Sequence, residues 1–198
     1  RDGDHAASTV PADFDGEGRM KPEIVGPFGL TSECAPLVAG AAAVLVETAR
    51  SDATIPEEGE AAETIKAILL AGAAHEGPDG TVGTWSNNAP QTGPDRGRTE
   101  RPLDEIVGAG HVNIDRAHQI LTGGSASGGS SFESAGPASE HGWHLDNLDA
   151  GDERWWQFSL PDGADELSVV VTWNRSVNSG FTGYALADIN LDLHQLVD

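Results

Sequence analysis

The stretch GLTSECAPLVAG, from Gly29 to Gly40, decides the fold because a long apolar run begins inside it. No charged residue occurs from Cys34 to Val46, a run of 13 residues. Thr31 and Ser32 come just before this run, and hydroxyl residues often cap helix N-termini. A helix that is apolar on every side is buried, and 13 residues are too few to span a bilayer, which takes about 20. The stretch therefore predicts a buried helix from Thr31 to Arg50, with Ser32 at its positive end.

Three blocks of sequence carry a resemblance to a known family. Six residues of the first block match the pattern Gly-Thr-Ser-x-Ala-x-Pro-x-Val-Ala-Gly in register: Thr31, Ser32, Pro36, Val38, Ala39 and Gly40. The second block, Gly18 to Pro27, reads GRMKPEIVGP, and the third, Gly108 to Ala117, reads GAGHVNIDRA. The first block resembles the nucleophile motif of the subtilisin-like serine proteases (subtilases), the second resembles the run before that motif, and the third resembles the start of the last catalytic-domain helix. The three blocks follow one another along the chain in the family's order. The resemblance implies that Ser32 is the attacking serine and that its backbone N–H is an oxyanion donor.

The chain also departs from the family pattern. Leu30 stands where the family usually has glycine, Cys34 stands where it has alanine, and the segment between Pro27 and Thr31 is short. The family's Asp and His motifs and its oxyanion-hole Asn precede the serine, and no such blocks occur here. Since the chain begins at Arg1 without an initiator Met, we expect it to be the later part of a longer protein. The upstream part would then supply the Asp and His.

Composition narrows the class of partner. The net charge is −21, from 32 acidic and 11 basic residues. This balance argues against nucleic acid and anionic membranes as partners. It fits a secreted protein, a salt-tolerant protein or one that binds cations, and does not decide among them; we expect a secreted or cell-surface protein. Cys34 is the only cysteine, so an internal disulfide is impossible, and we interpret it as a buried packing residue.

The rest of the chain divides into two kinds of pattern. Apolar residues at spacings of three and four predict a second helix from Glu60 to Ala74, and Asn113 or Asp115 is expected to open a third helix that ends at Leu121. A Gly- and Ser-rich linker is predicted over residues 122–142. Beyond it, β-branched and alternating segments predict strands over Trp155–Leu160, Leu167–Trp173 and Ala187–Leu193, with a shorter strand over Trp143–Leu148.

The predicted fold class is therefore α/β, followed by an all-β module. Residues 1–121 would be the C-terminal part of a subtilisin-like peptidase domain, represented mainly by its helices. Residues 143–198 would form a β-sandwich or jelly-roll-like module, which we expect to be incomplete because it has about four strands. The family's core sheet lies mostly upstream, so we expect exposed apolar helix faces and self-association.

No metal or cofactor site is clearly encoded. Asp188, Asn190 and Asp192 place three oxygen ligands at alternate positions, a weak calcium candidate, but Leu193 replaces the glycine that an EF-hand loop needs. His141 and His144 lack an evident third zinc ligand. A second acidic cluster is interpreted as a solvated turn: Asp146, Asp149, Asp152 and Glu153. None of the seven histidines lies in a block like the family's histidine motif: His5, His75, His111, His118, His141, His144 and His194.

The leading hypothesis is the C-terminal portion of a serine endopeptidase that hydrolyses polypeptides, inactive as this chain alone. The alternative is a non-catalytic protease-like fragment whose β module binds a polymer or a cell surface. A third interpretation is a fragment that persists after proteolysis and pairs with its other half.

Overall fold

The computed structural model describes residues 22–75, 103–104, 107–164, 167–174, 176–185, 187 and 189–194. Three α-helices lie in this part of the chain: α1 (Thr31–Ser51), α2 (Ala62–Ala71) and α3 (Ile114–Thr122). Short 3₁₀ turns cover Glu57–Glu60 and Phe132–Ser134. The strands that follow are two residues long: β1 (Gly136–Pro137), β2 (Trp156–Gln157), β3 (Ser176–Val177) and β4 (Tyr184–Ala185).

The main core lies where the three helices meet. Helix α1 contributes residues at intervals of four, which share one face of a helix, and α2 and α3 contribute the facing stripes. Ile55 and Trp143 complete the cluster, whose helical members are Ala41, Leu45, Ala49, Ile65, Ile68, Leu69, Ala117 and Leu121. The predicted apolar stripe of the second helix is thus confirmed, although α2 is shorter than predicted because Ala61 is extended and Gly72 caps its end.

The prediction that α1 is buried on every side is wrong. Only Cys34, Ala41, Leu45 and Ala49 are buried, whereas Val44 is 51% exposed. The predicted hydroxyl cap is also wrong, because Leu30 is the N-cap residue and makes no side-chain capping bond. An exposed apolar face on α1 is what we expect if the elements that pack on it belong to the upstream part of the protein.

Helix α1 is also longer than the charge-free run inside it. Its 21 residues are long and apolar enough to cross a membrane by length and composition alone. That criterion is also met by core helices of soluble proteins and by signal sequences, and it is weak evidence for a single helix. The 13-residue length of the charge-free run therefore does not exclude a membrane span, because the helix that contains the run has 21 residues.

A short segment that contains the buried residue Val25 precedes α1. Val25 is 2% exposed and pairs in parallel with His111, which also pairs with Ala74. Gly108 and Gly110 allow this crossing, because both have positive φ and an added Cβ on Gly108 would lie 2.3 Å from the Pro22 carbonyl oxygen. The block GAGHVN thus forms a crossing that brings the chain to the start of α3, where the Asn113 side chain accepts a bond from the Arg116 N–H at 3.0 Å.

The Gly- and Ser-rich stretch is hydrogen-bonded and is not a free linker. The Ala126 N–H donates to the Trp143 carbonyl at 2.9 Å, and Gly129 and Trp155 exchange bonds of 2.8 and 2.9 Å. Glycine is required at position 129, since an added Cβ would lie 1.8 Å from the Ser134 carbonyl oxygen. Whether a domain boundary falls here stays a prediction.

Pairing in the trailing part of the chain is short. Strands β1 and β2 pair in parallel, and β3 and β4 pair antiparallel in a separate sheet. The strand predicted over Trp155–Leu160 is reduced to β2, and Leu167–Trp173 forms no ladder among the described residues. The latter segment contacts α2 instead, where the Thr172 hydroxyl donates to the Glu63 carbonyl at 3.3 Å. The sandwich therefore stays a prediction.

Candidate functional site

Ser32 lies in the first turn of α1. A bend that begins at Pro27, two residues after Val25, leads the chain into this helix. The helical ladder starts at Leu30, whose carbonyl accepts from the N–H groups of Glu33 and Cys34 at 3.0 and 3.1 Å. Ser32 is exposed. Its hydroxyl is therefore open to solvent at the helix end that favours developing negative charge.

The backbone N–H of Ser32 is also available. Among the described residues, no backbone carbonyl accepts a bond from it. The first N–H groups of a helix lack intrahelical partners and can bind an anion. The oxyanion role implied for Ser32 is thus compatible with the local geometry.

The turn before Ser32 is fixed from inside by Cys34. This side chain is 6% exposed, and its thiol donates to the Phe28 carbonyl at 3.3 Å. An added Cβ on Gly26 would lie 3.1 Å from the Cys34 Sγ, so a side chain at this position would press on the buried thiol. Sequence reasoning interpreted Cys34 as packing only, and no sequence signal identifies the carbonyl that it binds.

No base for Ser32 is present among the described residues. None of the described histidines is hydrogen-bonded to the Ser32 hydroxyl, and His5 lies outside the described part of the chain. His111 is buried at the strand crossing, where its Nδ1 has no hydrogen-bond partner; His118, His141 and His194 are exposed. A serine hydroxyl needs a base within hydrogen-bond reach to become a good nucleophile, and none of the described histidines fills that place beside Ser32.

A shallow groove lies towards the opposite end of α1. It is lined by residues from Ala43 to Ala53. With a rise of about 1.5 Å per residue, Val44 is roughly 18 Å along the helix axis from Ser32. This groove therefore cannot hold a bond that Ser32 attacks.

A second serine and histidine lie close together in the trailing part of the chain. The Ser125 hydroxyl is 3.5 Å from the His144 Nδ1, and the His144 Nε2 is 4.0 Å from the Asp146 carboxylate. However, the Arg154 Nε lies 2.5 Å from the same carboxylate oxygen. The guanidinium neutralises the charge that would have to stabilise a protonated imidazole, so this arrangement lacks the electrostatics of a catalytic triad.

The same ion pair explains the acidic cluster around Asp146. The bond from Arg154, followed by the bond from the Asn147 N–H, lowers the pKa of the Asp146 carboxyl. In the same turn, the Asp149 N–H donates to the Asp152 carboxylate at 3.2 Å. These carboxylates are held by the chain itself, in agreement with their interpretation as a turn.

Neither metal candidate can be assembled from the described residues. Within them, no three His, Cys, Asp or Glu side chains are grouped so that they could hold a metal ion. Of the calcium candidates, Asn190 and Asp192 are exposed, and Asp188 lies outside the described residues. The calcium candidate therefore stays untested, and His141 and His144 gain no third ligand in this part of the chain.

Searches against protein-family models, curated proteins and solved structures find no match for this chain.

Proposed function

We propose that this chain is the C-terminal portion of a subtilisin-like serine endopeptidase and that Ser32 is its nucleophile. The exposed hydroxyl of Ser32, in the first turn of a helix with an available N–H beside it, carries the proposal. The three sequence blocks in family order add to it, because two of them meet in space: Val25 of the second block pairs with His111 of the third.

The proposed reaction is acyl transfer from a polypeptide to Ser32 and then to water. The serine oxygen attacks the peptide carbonyl carbon, and a base takes the hydroxyl proton and gives it to the leaving amine. The Ser32 N–H would donate to the oxyanion that forms. The Asp, the His and a second oxyanion donor would come from the upstream part of the protein, without which the rate falls by several powers of ten.

The test is labelling of the longer gene product with a fluorophosphonate probe, with the modified residue mapped by mass spectrometry. Covalent label on Ser32, lost in Ser32→Ala, is the expected result. Ser51→Ala is the matched control, because Ser51 is an exposed serine at the other end of the same helix and its removal should leave labelling intact. A folded product without label at Ser32 would reject the proposal.

A second candidate function is binding of a neutral polymer by the trailing module, and it is favoured by the loop between β3 and β4. Phe181 is 86% exposed and has a φ of 55°, a conformation that is costly for a bulky residue. The Asn178 side chain holds the loop by accepting bonds from the N–H groups of Thr182 and Gly183 at 2.9 and 3.3 Å. Strain of this kind, held by its surroundings, is often found at binding sites.

The charge of this region favours an uncharged ligand. From Leu167 to Ala187 the sequence has one charged residue, Arg175, in a chain with a net charge of −21. An exposed aromatic ring on a neutral, polar loop fits the apolar face of a sugar ring better than a charged polymer.

Retention on insoluble cellulose and chitin tests this second candidate. Phe181→Ala should abolish retention, whereas Leu193→Ala, at a side chain that is 71% exposed, should not. Equal retention of both variants, or binding only to neutral lipid vesicles, would exclude polymer binding through Phe181. The upstream codons separate the two functions, because Asp and His blocks there favour the enzyme and a start codon at this point favours the binding protein.

A further inference from the structure

The buried thiol of Cys34 donates a hydrogen bond to a carbonyl in the turn that leads to Ser32. Phe28 precedes Ser32 by four residues, so in a continuous helix the Phe28 carbonyl would accept the Ser32 N–H. In this chain the helix begins at Thr31, and the Phe28 carbonyl accepts the Cys34 thiol at 3.3 Å instead. The Ser32 N–H lacks an intrahelical acceptor because α1 begins at Thr31, and the thiol bond restrains the carbonyl that a longer helix would use.

The rest of the turn has little else to hold it. Leu30 makes no side-chain capping bond, Phe28 and Leu30 are 45% and 58% exposed, and a Cβ added to Gly29 would meet nothing within 4 Å. The thiol is anchored, because it is buried against Gly26. The bond from Cys34 is thus a side-chain restraint on the path of the chain from Gly26 to Ser32.

We propose that Cys34 is a positioning residue for Ser32: its thiol fixes the shortened turn and keeps the Ser32 N–H and hydroxyl directed at substrate. This inference rests on the proposed function. The resembling family has alanine at this position, and a methyl group cannot donate a hydrogen bond. The thiol therefore compensates for the short segment between Pro27 and Thr31, another departure of this chain from the family pattern.

The experiment measures the rate constant for acylation of Ser32 by a fluorophosphonate in the longer gene product. Cys34→Ala removes the donor and should slow acylation about five- to tenfold, the effect of one hydrogen bond. Cys34→Ser keeps a donor and should restore the rate to within about twofold. Ala41→Gly is the control, because it weakens the same helix at a buried site roughly 14 Å from Ser32 and should leave the rate unchanged.

A wild-type rate in Cys34→Ala, or an equal loss in Cys34→Ser, would overturn the inference. Hydrogen exchange of residues 28–34 separates it from the proposed function, because exchange needs no catalytic base. Cys34→Ala should speed exchange of the Glu33 and Cys34-position amides, Cys34→Ser should restore it, and Ala41→Gly should not affect it. If Ser32 takes no label but exchange responds in this way, the endopeptidase proposal fails while the thiol still orders the turn; unchanged exchange refutes the positioning.

Discussion

Replacing Trp143 with phenylalanine tests whether the Gly- and Ser-rich stretch is part of the folded body. Trp143 is 8% exposed, and its indole N–H donates to the Leu121 carbonyl at 3.0 Å. Its backbone bonds to Gly124 and Ala126 at 3.0 and 2.9 Å. The ring therefore fastens the stretch to the helical core, next to Gly59, where an added Cβ would lie 3.3 Å from the indole.

The expected cost has two parts. The Leu121 carbonyl keeps a long bond of 3.3 Å from the Gly124 N–H, so loss of the indole donor should cost about 1–2 kcal/mol, the lower part of the range for a buried group. The smaller ring leaves a void that adds about 1 kcal/mol. The free energy of unfolding should fall by about 2–3 kcal/mol, which moves a urea midpoint by about 1 M.

The matched control is Trp156→Phe. The Trp156 indole also donates to a backbone carbonyl, that of Ala126, at 2.8 Å, but this side chain is 39% exposed. Water replaces the lost bond there, so the cost should stay below about 1 kcal/mol. Far-UV circular dichroism should follow unfolding, because both changes alter tryptophan fluorescence. Equal urea midpoints for the two variants would refute the view that Trp143 anchors the stretch.

Three further predictions concern single sites. Gly129→Ala should destabilise the chain by about 2 kcal/mol or more, because its Cβ would lie 1.8 Å from the Ser134 carbonyl oxygen; an unchanged urea midpoint would contradict this contact. Asp146→Asn should lower the Tm near neutral pH, because Arg154 lowers the pKa of this carboxyl and so adds stability above the unfolded pKa of about 3.9. That stability is lost as the pH falls through the folded pKa, so wild type and variant should converge in acid, and a difference in Tm that persists there would contradict the assignment. Val44→Lys should weaken self-association measured by sedimentation velocity, since Val44 is 51% exposed on an apolar helix; a wild-type chain that is monomeric at all concentrations and melts cooperatively would refute the premise.

The helices were predictable because their patterns are local. Helical hydrogen bonds close within four residues, so the apolar stripe with Ile65 and Ile68 and the capping residue Asn113 are visible without knowledge of the fold. The candidate nucleophile Ser32 was identified in the same way, from a motif within 12 residues. The three helices in the described part of the chain begin within two residues of the predicted positions.

Burial and pairing were not predictable in this way. The sequence of α1 reads as a fully buried helix, but exposure depends on which elements pack against it, and only one face has a partner here. Glycine and serine suggested a linker, yet Gly129 pairs with Trp155, a partner that composition cannot identify. Close backbone approach and flexibility both select glycine.

The sequence by itself determined where the helices begin and which serine lies in the first turn of α1, because these depend on neighbours a few residues apart. It also determined how acidic the chain is, since net charge follows from composition. Only the tertiary structure decided that Ser32 is exposed, that the Cys34 thiol binds the Phe28 carbonyl and that Trp143 joins the Gly- and Ser-rich stretch to the core. Contacts such as the last join residues that are distant in sequence, and their free energy depends on the burial that the folded chain creates.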